Sequence, residues 1–166
     1  MPALPDDGTR RAALTPLAAA WLLAGLLGLQ PVTTDLYLPA LPGLTRALGT
    51  TVGAAQLTMS AMILAFGIGQ LVWGPVSDRI GRRRALLWGM GLYTVASLAG
   101  TLAPHIGLLV AARVAQGLGL AAAVVCARAM VRDLYEPAEG TRVMSLALSG
   151  LGVIAYASPA LGGVLA

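Results

Sequence analysis

Long stretches without a charged side chain decide what this chain can fold into. Residues 12–34, 47–77, 85–112 and 143–166 contain no Asp, Glu, Lys or Arg, and residues 106–127 contain only Arg113. About 20 mainly apolar residues make a helix long enough to cross a bilayer core, and each of these runs reaches that length. The expectation is an all-α membrane protein with about five transmembrane helices, near 16–38, 52–74, 85–103, 106–127 and 143–166. A tail at 1–15 precedes them.

Membrane strands are the competing way to cross lipid, and the pattern argues against them. The runs do not alternate with period two, and each is about twice the length that a membrane β-strand needs. In lipid the backbone must be satisfied within the segment or around a closed barrel, which leaves helices here. With 57% apolar and 11% charged residues, the chain is also too greasy for the surface of a soluble globule.

The net charge of +4 would suggest an anionic partner in a soluble protein, but its placement explains it otherwise. Five spans put Arg10, Arg11, Arg79, Arg82, Arg83, Arg84, Arg128, Arg132 and Arg142 on one side, and leave Arg46 and His105 on the other. Cationic flanks resist translocation. The arginines therefore report topology, with a cytoplasmic N-terminus, and no nucleic-acid partner is implied. The first run is too long, and too poor in cleavage features, for a signal peptide. The single Cys126 excludes an internal disulfide. With one His, one Cys and few acids, none clustered, neither an enzyme site nor a metal or cofactor site is expected.

The densest charge lies in "GPVSDRIGRRRA", between the second and third runs. Gly74, Asp78, Arg79, Gly81, Arg82 and Arg83 form G-x-x-x-D-R-x-G-R-R. A basic loop that only fixed topology would need the arginines but neither Asp78 nor two glycines. On physical grounds Gly74 would let a neighbouring helix come close, Gly81 would allow a tight turn, and Asp78 would face a helix N-terminus or an arginine.

This stretch resembles motif A of the major facilitator superfamily. "RVAQGLG", from Arg113 to Gly119, is similar to its motif B. "SPALGG", with Ser158, Pro159, Gly162 and Gly163, is similar to motif C of its antiporters, with Ser158 in place of the usual glycine. "TTDLYLPALP" and "ARAMVRDLY" resemble the bicyclomycin-resistance-like (Bcr/CflA) group of drug:proton antiporters. The resemblance implies a partial N-terminal half of a twelve-helix transporter, with helix 6 and the second half missing. It also implies proton-coupled export of drug-like small molecules across the inner membrane, and a cytoplasmic gate at motif A. A non-transporting membrane subunit, or an exporter of sugars or amino acids, is the alternative.

Arg113 is the residue most costly to place. An arginine well inside the hydrocarbon costs about 2.5–3.5 kcal/mol even on the lenient scale, so it should face a cavity or a partner. It lies about eight residues from the outer turn, roughly 12 Å deep, and Asp35 roughly 6 Å deep. In the resembled antiporters an acid at this place on helix 1 and the motif B arginine are implicated in proton coupling. Asp35 and Arg113 are thus expected to interact directly, or through Gln116 or water. Two plainer roles stay open: Asp35 as a hydrated interfacial acid, and Arg113 as a donor to backbone carbonyls.

Overall fold

A computed structural model of the chain describes residues 15–165. The expected tail, apart from Thr15, and Ala166 lie outside the described residues. Among the described residues six α-helices follow one another: α1 (Pro16–Asp35), the short α2 (Leu41–Ala47), α3 (Val52–Ile80), α4 (Arg82–Thr101), α5 (Ile106–Leu134) and α6 (Pro137–Leu165). A single 3-10 turn, Leu38–Ala40, joins α1 to α2. Four segments, Pro16–Ala47, Val52–Ile80, Ile106–Leu134 and Pro137–Gly163, are long and apolar enough to cross a membrane. The fifth expected span, α4, begins with Arg82, Arg83 and Arg84 and is less apolar. From Ala85 onward it still gives roughly 25 Å of charge-free helix at 1.5 Å per residue.

The helices outrun the charge-free segments. The spans expected to stop near 74 and 127 continue to Ile80 and Leu134, and the one expected from 143 begins at Pro137. Hydropathy marks where lipid ends, whereas helices end at their own stop signals. Gly81 is one such signal. It has φ +89°, a conformation that favours glycine, and it both ends α3 and starts α4. Pro137 is another, a proline in the first turn, where its missing N–H costs nothing. The connection between α1 and α3 is itself helical: Pro39 and Pro42 each occupy the first turn of a short helix. Thr15, Thr51 and His105 cap α1, α3 and α5, each accepting a backbone N–H at 3.2–3.3 Å.

α5 is the hub. Its broadest contacts are with α3 on one side and α4 on the other, while α1 pairs mainly with α6. In lipid, apolar side chains gain little by leaving acyl chains, so helices associate where small residues allow close approach. The motif B glycines supply this on two faces. A Cβ on Gly117 would lie within 3.1 Å of backbone atoms of Met62 and Phe66 on α3, and one on Gly119 within 3.0 Å of backbone atoms of Gly89 and Tyr93 on α4. Large apolar side chains turn outward instead: Leu71, Trp88, Val95 and Leu102 are exposed, while Leu120, Ala121, Ala122 and Ala123 are fully buried.

Candidate functional site

Polar side chains gather in the half of the bundle away from the basic end, around Arg113. Its guanidinium carbon lies 3.7 Å from the ring centre of Tyr37, at the end of α1. Its Nη1 donates to Gln116 Oε1 at 2.9 Å and points at Met62 Sδ at 3.8 Å. Gln116, one turn on and buried, donates from Nε2 to Ser97 Oγ on α4 at 2.9 Å.

The directions of the remaining bonds follow from proton counting, since a hydroxyl has one proton to give. Ser97 donates to the Tyr93 carbonyl and so can only accept from Gln116. Thr58 donates to the Ala55 carbonyl, so the Tyr37 hydroxyl is the donor across their 2.8 Å contact. Thr33 likewise donates to the Leu29 carbonyl, so Tyr93 donates to Thr33 at 2.7 Å. The network thereby ties α1, α3, α4 and α5 together. It borders a cavity of about 290 Å³ lined by Tyr37, Ser97, Thr101, Arg113 and Gln116, among others.

Arg113 and Gln116 are brought together, and no direct ion pair joins Asp35 to Arg113 among the described residues. Asp35 is partly buried, accepts from Thr34 Oγ1 at 3.0 Å, and forms no ion pair among the described residues. Arg113 is held by neutral groups. Gln116 does bond Arg113, but its other end goes to Ser97 rather than toward Asp35.

At the basic end, motif A forms a clasp around Arg82. Its guanidinium pairs with Asp78 on α3 at 2.5 Å and with Asp133 on α5 at 3.0 Å. It also donates to Ser77 Oγ, which in turn donates to the Gly74 carbonyl at 2.9 Å. The hydrogen bond that Arg82 donates to Asp133, then the one it donates to Asp78, raise the Arg82 pKa above its ordinary value. Arg79 and Arg83 are exposed, with no ion pair among the described residues. Gly81 makes the expected turn, but Gly74 does not admit a neighbouring helix. A Cβ there would meet nothing within 4 Å. Gly74 instead borders a cavity of about 250 Å³ with Asp78, Arg82, Arg128 and Arg132, and no other described helix packs against it.

The motif C segment lies in the seam between α1 and α6. Ser158 is buried and bonds the Ile154 carbonyl of its own helix at 2.7 Å, so a hydroxyl fits where glycine was expected. The close approach falls one turn later: a Cβ on Gly162 would lie 2.9 Å from Leu36 Cα. Gly163 faces open space, and Pro159 lies inside the helix.

Sequence reasoning missed Tyr37, Thr58, Tyr93, Ser97 and Asp133. A signal existed for two of them. On α4, Ala85, Gly89, Tyr93, Ala96 and Ser97 fall on one helical face, and a stripe of small and polar residues in a membrane helix faces protein. Asp133 lay in the quoted "ARAMVRDLY", but its partner is 51 residues away and invisible to local pattern.

A bundle of apolar helices joined through glycine faces, with an arginine held inside it and a charged clasp at one end, defines a membrane-transporter architecture. The chain belongs to the major facilitator superfamily, whose description matches residues 21–166. It is similar to Multidrug resistance protein D of Escherichia coli (strain K12), 35% identical over 144 residues, covering 87% of this chain and 36% of that protein. It is also similar to a Chloramphenicol resistance protein of Pseudomonas aeruginosa, at 38% over 149 residues, 89% of this chain and 36% of that one. A Bicyclomycin resistance protein homolog of Haemophilus influenzae is 30% identical over 145 residues, 87% of this chain and 36% of its own. The chain spans little more than a third of the length of the curated relatives it matches.

Proposed function

We propose that this chain supplies the N-terminal bundle of a proton-coupled exporter of drug-like small molecules, lying in the inner membrane with its basic end in the cytoplasm. The observation that carries the reading is Arg113, an intramembrane cation held among the described residues by neutral groups, with Asp35, two residues before Tyr37, in no ion pair among them. A cation inside the membrane is a functional site by default. Protonated, Asp35 is neutral and leaves the guanidinium on Tyr37 and Gln116. Deprotonated, it draws the guanidinium toward itself, which pulls on Gln116 and through it on Ser97 of α4. Proton release and a shift of α5 against α4 are thereby linked. At the other end the Arg82 clasp holds α3 to α5 and acts as the cytoplasmic gate. The names of the relatives, which speak of multidrug, chloramphenicol and bicyclomycin resistance, support drug-like substrates over sugars or amino acids.

The test is efflux of a cationic dye from vesicles carrying the expressed protein, driven by an imposed proton gradient. Gradient-driven efflux is expected to disappear in Asp35→Asn and Arg113→Ala with insertion retained. Unchanged efflux in Asp35→Asn rules out the coupling role. The length of the match favours a second reading, a membrane subunit that does not transport alone. In that case the wild-type chain shows no efflux until the remaining two thirds of a relative is co-expressed.

A further inference from the structure

Where α5 and α6 meet at the basic end they leave an open groove of about 610 Å³, which neither the Arg113 network nor the Arg82 clasp uses. One wall carries Arg128 and Arg132, one turn apart on α5, and the other Thr141 and Ser145, one turn apart on α6. The floor is apolar, with Val131, Met144 and Leu148. Polar and apolar lining are ordered along the helices. Thr141 lies toward the end of the bundle, and Leu148 two turns further into the span.

The charge in this groove is uncompensated. Arg128 and Arg132 are exposed and form no ion pair among the described residues. Asp78, which lines a neighbouring cavity with both arginines, and Asp133 are each engaged by Arg82. Glu136 and Glu139 are exposed at the start of α6 and do not line the groove. Two arginines at the level where helices leave the hydrocarbon, above an apolar floor, match an anionic headgroup with an acyl chain beneath it, while Thr141 and Ser145 give their protons to carbonyls of α6 and only line the wall. Basic pockets between membrane helices hold anionic lipid headgroups in this way.

We propose that the α5–α6 groove is a binding site for an anionic phospholipid of the leaflet at the basic end, its phosphodiester held by Arg128 and Arg132 and its acyl chain lying on Met144 and Leu148. The lipid, rather than free phosphate, is the occupant because the groove continues into apolar lining that phosphate would leave unfilled.

The experiment is native mass spectrometry of the detergent-solubilised full chain titrated with dioleoylphosphatidylglycerol or dioleoylphosphatidylcholine. The anionic lipid is expected to be retained in preference to the zwitterionic one. Arg132→Gln should weaken its retention about fivefold, the effect of one surface arginine on an anionic headgroup, and Arg128→Gln/Arg132→Gln by more. Arg84→Gln removes the same charge from the same end but away from the groove, and should change little. Ser145→Glu, which spares both arginines, should also lose the lipid, and circular dichroism checks that each variant folds. Equal retention of the two lipids overturns the proposal, as does an Arg84→Gln loss matching that of Arg132→Gln. So does displacement by millimolar inorganic phosphate, which would make the site a phosphate site. Lipid retention indifferent to Ser145→Glu and the double variant means that something else fills the groove, a protein segment included, and equally overturns it.

Discussion

Gly117 is where the fold depends most narrowly on one missing atom. A Cβ there would sit 2.3 Å from the Met62 carbonyl oxygen, 3.1 Å from Phe66 N and 3.2 Å from Met62 C. All three are backbone atoms of α3, so no side chain can rotate away. To restore a normal contact, α3 must retreat from α5 by about 1 Å, and overpacking of this kind costs roughly 1–3 kcal/mol. The same retreat stretches the bond from Trp73 Nε1 to the Leu118 carbonyl, now 2.8 Å, beyond hydrogen-bonding range. That loss adds roughly 0.5–1.5 kcal/mol. Against this, alanine is the better helix former by about 0.8–1 kcal/mol. Gly117→Ala should therefore destabilise the bundle by about 1–3 kcal/mol. Gly67→Ala, where a Cβ meets nothing within 4 Å, should be neutral or slightly stabilising. The assay is reversible denaturation in mixed micelles, in a background where the lipid-facing Trp21 and Trp88 are replaced by Phe, so that Trp73 alone reports. Its emission should shift in Gly117→Ala and stay in place in Gly119→Ala, which pushes on α4 instead. A Gly117→Ala protein as stable as the parent, with unshifted Trp73 emission, would refute the close-approach account.

Two further perturbations probe the clusters at either end. Tyr37→Phe keeps the ring beneath Arg113 but removes the donor to Thr58, so a loss of roughly 0.5–1.5 kcal/mol is expected. Tyr37→Leu also removes the cation–π contact and should cost roughly 0.5–2 kcal/mol more; thermal unfolding that ranks the two equally would contradict the stacking. Arg82→Gln should cost little stability, about 1 kcal/mol or less, since its partners are largely exposed, yet should let the ends of α3 and α5 part, seen as slower disulfide trapping between cysteines at Ile80 and Leu134. Because Asp133 and then Asp78 raise the Arg82 pKa, its contribution is complete below the ordinary arginine range and fades only above it. Arginine deprotonation should thus leave the trapping rate of an Arg82 protein, relative to Arg82→Gln, unchanged from pH 7 to pH 9.

How much of this was legible from sequence depends on whether the cause was local. Lipid permits little but helices to such segments, so the charge-free runs disclosed the five long helices; the stops at Gly81 and Pro137 were also written locally, though hydropathy drew attention elsewhere. The connection holding Pro39 and Pro42 is helical because proline in a first helical turn begins a helix rather than breaking it, and apolar runs alone do not show this. At the site, Arg113 with Gln116 and Arg82 with Asp78 are neighbours at i, i+3 and i, i+4, spacings that any helix brings together. Tyr37 beneath Arg113, Ser97 beneath Gln116 and Asp133 beside Arg82 depend on which faces of separate helices meet. The glycines at 117 and 119 decide that, and their partners on α3 and α4 lie tens of residues away. Gly74 depends on the same thing: a glycine permits close approach, but only the tertiary arrangement says whether a helix takes the offer, and none of the described helices does.

The distribution of those contacts along the bundle predicts where it opens. Away from the basic end, α1 is pinned to its neighbours by polar or backbone contacts: Tyr37 to Thr58, Thr33 to Tyr93, and Leu36 against Gly162. Toward the basic end, α1 meets α5 and α6 through apolar side chains such as Ala20, Leu23, Ala127 and Val143. An apolar groove of about 320 Å³ separates Leu22 and Leu26 of α1 from Leu86 of α4 there. In lipid an apolar seam is only marginally favoured over acyl chains, whereas a polar pair has no equal partner to exchange for. The α1–α6 pair should therefore swing against the α3–α4–α5 block at the basic end while staying fixed at the other. Spin labels at Leu22 and Leu86 in bilayers should give a broader distance distribution than labels at Leu36, which caps α1, and Thr101, which borders the Arg113 cavity. Tyr37→Phe/Thr33→Val, which cuts both polar ties, should broaden the second pair toward the first. Equal widths in the parent protein would mean that the apolar seam holds as firmly as the polar one, and the pivot would have to be sought elsewhere.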